Sequence, residues 1–210
     1  MSPAVIYSES YEVNSALSQF GTTADSLRNV AFAAVAARNE ATPLHPANAP
    51  GTYSYLAGVA ALRMVFLNVD GWQIARPKGV EAVENKNLGM TILFQNVDHA
   101  CGLHDPNPIS EKGDGVSDLV SGSSGYLFEE MEAEARNKEN NSVWFFCVSV
   151  KGEEIRAELS RPTEIKNGSF GIFAERIYLI KDNDWSPIKD DSSSDSSAIQ
   201  DFDISVTKKN

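Results

Sequence analysis

The side chains best suited to chemistry are concentrated in one long polar segment, residues 98–118. Its first half contains these carboxylates and imidazoles: Asp98, His99, His104 and Asp105. Imidazole and carboxylate groups are common ligands of zinc and iron in proteins. The spacing matches no zinc-binding motif, so the sequence leaves two hypotheses open. Either these four residues hold a metal ion, or the histidines bond backbone carbonyls and keep the loop folded.

The second half of the segment reads Lys112-Gly113-Asp114-Gly115 and suggests a turn that binds anions. Backbone N–H groups at Gly113 and Gly115, together with the Lys112 ammonium, can face a phosphate or another anion. The run lacks the frame of a P-loop and the glycine spacing of a dinucleotide-binding fold, so it implies no nucleotide. A plain turn leading into a short helix from Val116 is the alternative.

A second possible constellation consists of Asp70, Glu84 and Lys86. Metal-dependent nucleases bind Mg²⁺ through two carboxylates and place a lysine beside the attacking water. Here Lys86 stands between two asparagines, which favours a solvated hairpin tip over a catalytic strand. A metal-dependent hydrolase, of phosphodiesterase or nuclease type, is therefore kept as the alternative function.

The chain contains two cysteines, Cys101 and Cys147. No secretory signal is visible, so we expect a cytoplasmic protein with two free thiols. Cys147 lies within an apolar run and is predicted to fill the core. Cys101 lies near His99 and His104, but closeness in sequence does not establish an aligned thiolate–imidazole pair.

Charge and hydropathy limit the classes of partner. The 210 residues include 18 Lys and Arg against 29 Asp and Glu, a formal net charge of −11. Nucleic acids and anionic membranes are bound through basic patches, so this balance argues against both. The longest apolar stretch, residues 53–69, is interrupted by polar side chains and is too short to span a bilayer.

Hydrophobic periodicity predicts helices in the first half of the chain and strands mostly in the second. Apolar residues recur at helical spacing from Leu27 to Ala37. Three prolines make residues 42–51 a predicted loop, and Thr52 is the predicted N-cap of a second helix. Strands are predicted at 72–75, 80–84, 90–97, 143–150, 155–159 and 170–180, with a further helix at 126–137. Short turns between successive strands favour antiparallel pairing.

Three arginines fall in the strand-rich second half, Arg156, Arg161 and Arg176. Glu158 and Glu175 stand close to them in sequence. We expect structural ion pairs among these residues in preference to the recognition of an anion.

The sequence thus predicts one α+β domain, residues 5–188, with three to four helices packed on a mainly antiparallel sheet. Residues 189–210 are rich in Ser and Asp and are expected to form a disordered acidic tail. The predicted function is a cytoplasmic binding or regulatory protein whose loop 98–118 contacts a small anionic ligand or a protein partner. The sequence indicates no cofactor and no oligomeric state. The hypothesis requires that the loop folds back onto the domain.

Overall fold

The structure is a computed structural model that describes residues 4–122 and 142–181. The described α-helices are α1 (Ser10–Ser18), α2 (Ala24–Asn39), α3 (Ala49–Phe66) and α4 (Asp114–Ser121). The described strands are β1 (Val5–Tyr7), β2 (Trp72–Ala75), β3 (Ala82–Asn85), β4 (Met90–Asn96), β5 (Ser142–Lys151), β6 (Glu154–Pro162), β7 (Ile165–Lys166), β8 (Ser169–Phe170) and β9 (Phe173–Ile180). The predicted helix at 126–137 and the predicted tail at 189–210 lie outside the described residues.

Seven strands form one sheet in the order β1-β9-β6-β5-β4-β3-β2, and β7 pairs with β8 in a separate hairpin. Four of the six pairings in the large sheet are antiparallel, while β1–β9 and β4–β5 are parallel. The predicted α+β class is confirmed, and the sheet is mixed but mostly antiparallel. None of the helices among the described residues is both long and apolar enough to cross a membrane.

Helices α1 to α3 cover one face of the sheet and form the larger hydrophobic core. Thr23 caps α2, and its side chain accepts a hydrogen bond from the Ser26 backbone N–H at 3.2 Å. The apolar stripe of α2 is buried as predicted and includes Leu27 and Val30. Gly58 in α3 lies directly on the Phe94 ring of β4, where an added Cβ would collide. The missing side chain therefore lets α3 sit close to the sheet.

The predicted start of α3 at Thr52 is wrong. The helix begins at Ala49 with Asn48 as its N-cap residue, and Pro50 lies inside the first turn. Proline is tolerated there because the first N–H groups of a helix have no partner within the helix. The proline that suggested a loop is thus part of the helix, and this places the first turn of α3 beside the 98–118 loop.

The opposite face of the sheet is covered by the 98–118 loop, α4 and the β7–β8 hairpin. A second hydrophobic cluster lies beneath them and includes Val97, Val116, Phe145 and Phe170. Cys147 is fully buried in this cluster, which confirms its predicted role as a core residue. Both elements of the predicted site, the loop and the helix that follows it, therefore pack on this second face.

Candidate functional site

The 98–118 loop folds back onto the sheet, as the functional hypothesis requires. Val97 and Pro108 form an isolated antiparallel bridge, and the Asp98 N–H donates to the Asn107 carbonyl at 3.0 Å. Ala100 at the start of the loop is fully buried. The loop is therefore packed on the sheet, and its two ends make different contacts.

The first end of the loop is held by a buried cluster, here called the Arg176 network. Glu158 is 0% exposed and Arg176 is 1% exposed, and the two form a bidentate pair with N–O distances of 2.9 and 2.8 Å. The Cys101 N–H donates to the same carboxylate. Arg176 also donates to the Gly102 carbonyl at 3.1 Å, which in turn accepts from the Tyr178 hydroxyl at 2.9 Å. These bonds hold Cys101 in the left-handed region, at φ 52°.

The pKa values in the Arg176 network follow from this pairing. Burial acts to lower the pKa of Arg176, but its hydrogen bonds to Glu158 and the charge of that carboxylate outweigh burial and raise it. Burial also raises the pKa of Tyr178 to about 12. The ion pairs predicted from the sequence are confirmed, since Arg161 also pairs with Glu175 through a single, more exposed contact at 3.0 Å.

The four predicted metal ligands lie on this first half of the loop. The Asp98 carboxylate accepts from the His99 N–H at 2.7 Å and from the Asn107 N–H at 2.8 Å, so it closes a turn. The His99 ring packs on Gly102, where a Cβ would collide with it, and His104 is exposed. Asp105 pairs with Arg176 at 3.2 Å. Within residues 4–122 and 142–181, no three His, Cys, Asp or Glu side chains converge as a metal site would require.

The second predicted constellation lies on the surface at the β2–β3 edge of the sheet. The Lys86 ammonium is 3.6 Å from the Glu84 carboxylate, which also accepts from the Gln73 side chain at 2.7 Å. Asp70 is exposed. The described residues bring no third acidic group, histidine or cysteine into a cluster with Glu84. Both metal sites thus stay predictions. The described residues place no three possible ligands together at either position.

The two cysteines are free and buried, as predicted for thiols. The Cys101 thiol donates to the Ala157 carbonyl at 3.1 Å. Burial raises the pKa of both thiols above the ordinary value. A thiolate is the reactive form, so neither cysteine has the environment of a nucleophile.

The second half of the loop opens onto a cleft of about 720 Å³, here called the Lys112 cleft. One wall is the first turn of α3, from Asn48 to Thr52, and the other is the loop from Ile109 to Gly113. The remaining lining residues come from α2, α3, the segment before β3, the end of β4 and α4: Arg38, Tyr55, Gly79, Val80, Glu81, Gln95, Asn96 and Val116.

Lys112 is the central polar side chain of this cleft. Its Nζ donates to the Gln95 side-chain carbonyl, and its backbone N–H donates to the Gly168 carbonyl at 2.8 Å. The Gln95 amide is fixed in turn, because its NH₂ group donates to the Asn96 carbonyl at 2.7 Å. Burial lowers the pKa of Lys112 to about 8, and the described side chain that bonds its Nζ is a neutral amide. No carboxylate in the described part of the chain lies within ion-pair distance of its Nζ.

Two glutamates, Glu81 and Glu111, also line the cleft, and Glu81 is paired with two arginines. Glu81 pairs with Arg63 and, at 2.9 Å, with Arg76. Hydrogen bonds from Arg63 and Arg76 lower the pKa of Glu81, so this carboxylate stays ionised and is neutralised by two cations. Arg38, by contrast, forms no ion pair among the residues that the structure describes. Among the described residues, Arg38 and Lys112 therefore line the cleft without an ion-pair partner.

The two predicted glycines differ in position. Gly113 lines the cleft as the N-cap residue of α4, and no side-chain hydrogen bond from this position caps the N-terminal end of the helix. Gly115 lies inside α4 against the Lys78 carbonyl, 3.1 Å from where a Cβ would stand. Of the residues predicted to bind an anion, Lys112 and Gly113 therefore reach the cleft, while Gly115 packs against the backbone.

Sequence reasoning missed Arg38, Gln95, Asn96 and the first turn of α3. Asn96 connects the end of β4 to α3, since its side chain donates to the Gly51 carbonyl at 3.0 Å and accepts from the Ser54 hydroxyl at 2.8 Å. The sequence does carry a signal for two of these residues. Gln95 and Asn96 are polar positions at the end of an otherwise apolar strand, a place where ligand-binding groups commonly lie.

Comparison with protein-family models, with curated proteins and with solved structures finds no match to this chain. The function is therefore argued from the chemistry of the cleft.

Proposed function

We propose that the protein binds a small organic anion, carrying a phosphate or carboxylate group, in the Lys112 cleft. The observation that carries the proposal is the presence of two cations, Arg38 and Lys112, that face this cleft with no carboxylate partner among the described residues. In a chain with a net charge of −11, most cations have acidic neighbours available. Two cations in one concave site, with no ion pair to any residue of the described ranges, suit an anion supplied from outside.

The state of Lys112 favours such a ligand on energetic grounds. Its ammonium is partly removed from water without a counter-charge, so its charged form is disfavoured in the free protein. An anion placed beside Nζ would restore the lost interaction and raise the pKa of the lysine again. Binding would therefore recover the free energy that the desolvated Lys112 charge costs the free protein.

The shape of the cleft indicates more than a free inorganic ion. Its volume of about 720 Å³ falls within the range of small-molecule sites, roughly 300–1,000 Å³. Apolar surface comes from Pro50, Tyr55, Val80 and Ile109, and Ile109 is 64% exposed. We therefore propose that the anionic group faces Arg38 and Lys112 while an apolar or aromatic part of the ligand packs on these side chains.

The test is thermal unfolding and calorimetry with inorganic phosphate, sulfate and a phenyl-substituted phosphate at matched ionic strength. Binding raises Tm with the logarithm of the ligand concentration once this exceeds Kd, because the ligand binds only the folded chain. Arg38→Gln and Lys112→Gln are expected to lose at least tenfold in affinity for each anion. Lys86→Gln, at the far end of β4, is the matched control and should bind normally.

Two results would overturn the proposal. One is the absence of any anion-specific rise in Tm above that of chloride at the same ionic strength. The other is a rise that Lys112→Gln and Lys86→Gln reduce equally, since this would point to general surface charge. Titration with Zn²⁺, Mn²⁺ and Mg²⁺ in the same assay tests the metal-dependent hydrolase that the sequence also allowed.

A further inference from the structure

Lys112 differs from the other described lysines that have a close side-chain partner. Lys78 lies 2.6 Å from Asp118, Lys86 lies 3.6 Å from Glu84 and Lys181 lies 3.8 Å from Glu9. Each of these carboxylates stabilises an ammonium. Lys112 instead faces a neutral amide inside a cleft, an environment that favours the neutral amine.

A neutral lysine amine is a nucleophile toward carbonyl groups, and desolvation is one of the ways in which proteins activate it. The partners of Lys112 leave this chemistry available. Gln95 accepts a single hydrogen bond from Nζ, so two positions on the nitrogen remain for a ligand. The thiol of Cys147, on the β5 position paired with Gln95, is protonated because burial raises its pKa. It therefore supplies no competing anion.

We propose that Lys112 captures the aldehyde or ketone group of an anionic ligand as an imine. This inference rests on the proposed function, because Arg38 is assigned the anionic group of the same ligand. The lone pair of Nζ attacks the carbonyl carbon to form the C–N bond, Nζ loses one proton, and the carbonyl oxygen gains one to become a hydroxyl. Loss of the second Nζ proton and protonation of this hydroxyl break the C–O bond and release water, which gives the C=N bond with no oxidant or reductant involved.

The cleft supplies groups suited to each part of the step. Gln95 accepts one N–H of the attacking amine and so fixes Nζ beside the end of β4, where Gln95 and Lys112 both line the cleft. Tyr55 lines the same cavity, and burial raises its pKa, so its hydroxyl stays protonated and is assigned as the donor to the departing oxygen. Arg38 lies on another side of the cavity and would hold the anionic end of the ligand.

The experiment uses pyridoxal 5′-phosphate as a probe that carries both an aldehyde and a phosphate. The full chain is incubated with one equivalent at pH 7.5, reduced with borohydride, digested and mapped by mass spectrometry. We expect at least ten times more label on Lys112 than on Lys86 or Lys151. Pyridoxal without the phosphate, or the Arg38→Gln variant, should reduce labelling of Lys112 at least fivefold, and excess sulfate should compete.

Lys112→Arg is the second variant, because it keeps the positive charge but cannot form an imine. It should bind sulfate with an affinity close to that of the unchanged protein and give no label at position 112, with no imine absorbance band. Lys86→Arg is its matched control and should be labelled normally at Lys112. An even distribution of label over the lysines, while sulfate still binds, would overturn the imine and leave the binding function standing. Failure of sulfate to bind would overturn both the imine and the proposed binding function.

Discussion

Arg176 and Lys112 lie on the same face of the sheet, but the pKa values of these two cations shift in opposite directions because their partners differ. Arg176 is almost completely buried, yet it keeps its charge because Glu158 meets it with two hydrogen bonds. Lys112 is less deeply buried, but it faces only the Gln95 amide and its pKa falls to about 8. A charge that is fully compensated fixes structure, whereas one left uncompensated in a cleft is available to a ligand.

The comparison divides the 98–118 loop into two functional halves. Residues up to Pro106 are bound to the Arg176 network and to the turn that Asp98 closes. Residues from Ile109 to Gly113 line the cleft and contact the β7–β8 hairpin through the Lys112 N–H. The first half thus anchors the loop to the sheet, while the second half is held by its own bonds from Lys112 to Gln95 and Gly168.

The largest effect is expected from Glu158→Gln. The change removes the buried counter-charge of Arg176 and leaves the guanidinium with the more exposed Asp105, and breaking a buried pair costs about 3–5 kcal/mol. Urea denaturation measures the loss in the free energy of unfolding. The double variant Glu158→Leu/Arg176→Met is the control and should recover much of the loss, because no lone charge remains. A cost below about 1 kcal/mol for the single change would show that the pair does not organise the loop.

The next effect is a dependence of stability on pH that comes from Lys112. The pKa of this lysine is about 8 in the folded chain, while the unfolded chain has the ordinary value of 10.5. Between these values the unfolded state binds more protons, so the free energy of unfolding rises with pH. The rise is at most about 3 kcal/mol, at about 1.4 kcal/mol per pKa unit.

Lys112→Met isolates this contribution, because the buried thiols and Tyr178 titrate in both proteins. The difference between the two profiles should grow from pH 7.5 to pH 10.5 in favour of the unchanged chain. Parallel profiles would mean that the Lys112 charge is as well solvated in the folded state as in the unfolded state. The contrast with Arg176 would then be lost.

A third expectation concerns the binding of sulfate, which does not itself titrate near neutral pH. If the anion binds only to protonated Lys112, its Kd should rise up to tenfold per pH unit above about pH 8. Calorimetry between pH 7 and 9.5 measures the slope. Lys112→Arg should bind with no slope in this range, because a guanidinium does not deprotonate there. An identical slope in that variant would assign the pH dependence to another group.

Much of the strand pattern and part of the site could be predicted from the sequence. Apolar runs located β4, β5 and β6 closely, and the alternation of Arg and Glu around Glu158 indicated the ion pairs. Lys112 and Gly113 were predicted as anion-binding residues and do line the described cleft. Such features are local, because strand period and turn chemistry are written in neighbouring residues.

The features that were missed depend on tertiary contacts. Helix α1 buries only Val13 and Leu17, so its pattern is weak and its stability comes from packing. Strand β1 has three residues and pairs in parallel with β9. The two strands are far apart in sequence, so no connecting turn indicates that they pair. Arg38 stands at the end of α2, and nothing in sequence links it to Lys112 in the cleft that both line. The convergence of these residues follows from topology.

The smallest effect is expected from Tyr178→Phe, and it tests how far the two halves of the loop are independent. The change removes the hydroxyl that donates to the Gly102 carbonyl at 2.9 Å, but that carbonyl keeps its bond from Arg176. The cost should therefore be about 1 kcal/mol in the free energy of unfolding. It should also remove the Tyr178 contribution to the loss of stability between pH 10 and about 12, while the contribution of the two buried thiols stays. Sulfate affinity should change less than twofold, because the Lys112 N–H and side chain hold the cleft half through Gly168 and Gln95. A loss of tenfold or more would mean that the Arg176 network sets the geometry of the cleft directly, and the two halves would have to be treated as one site.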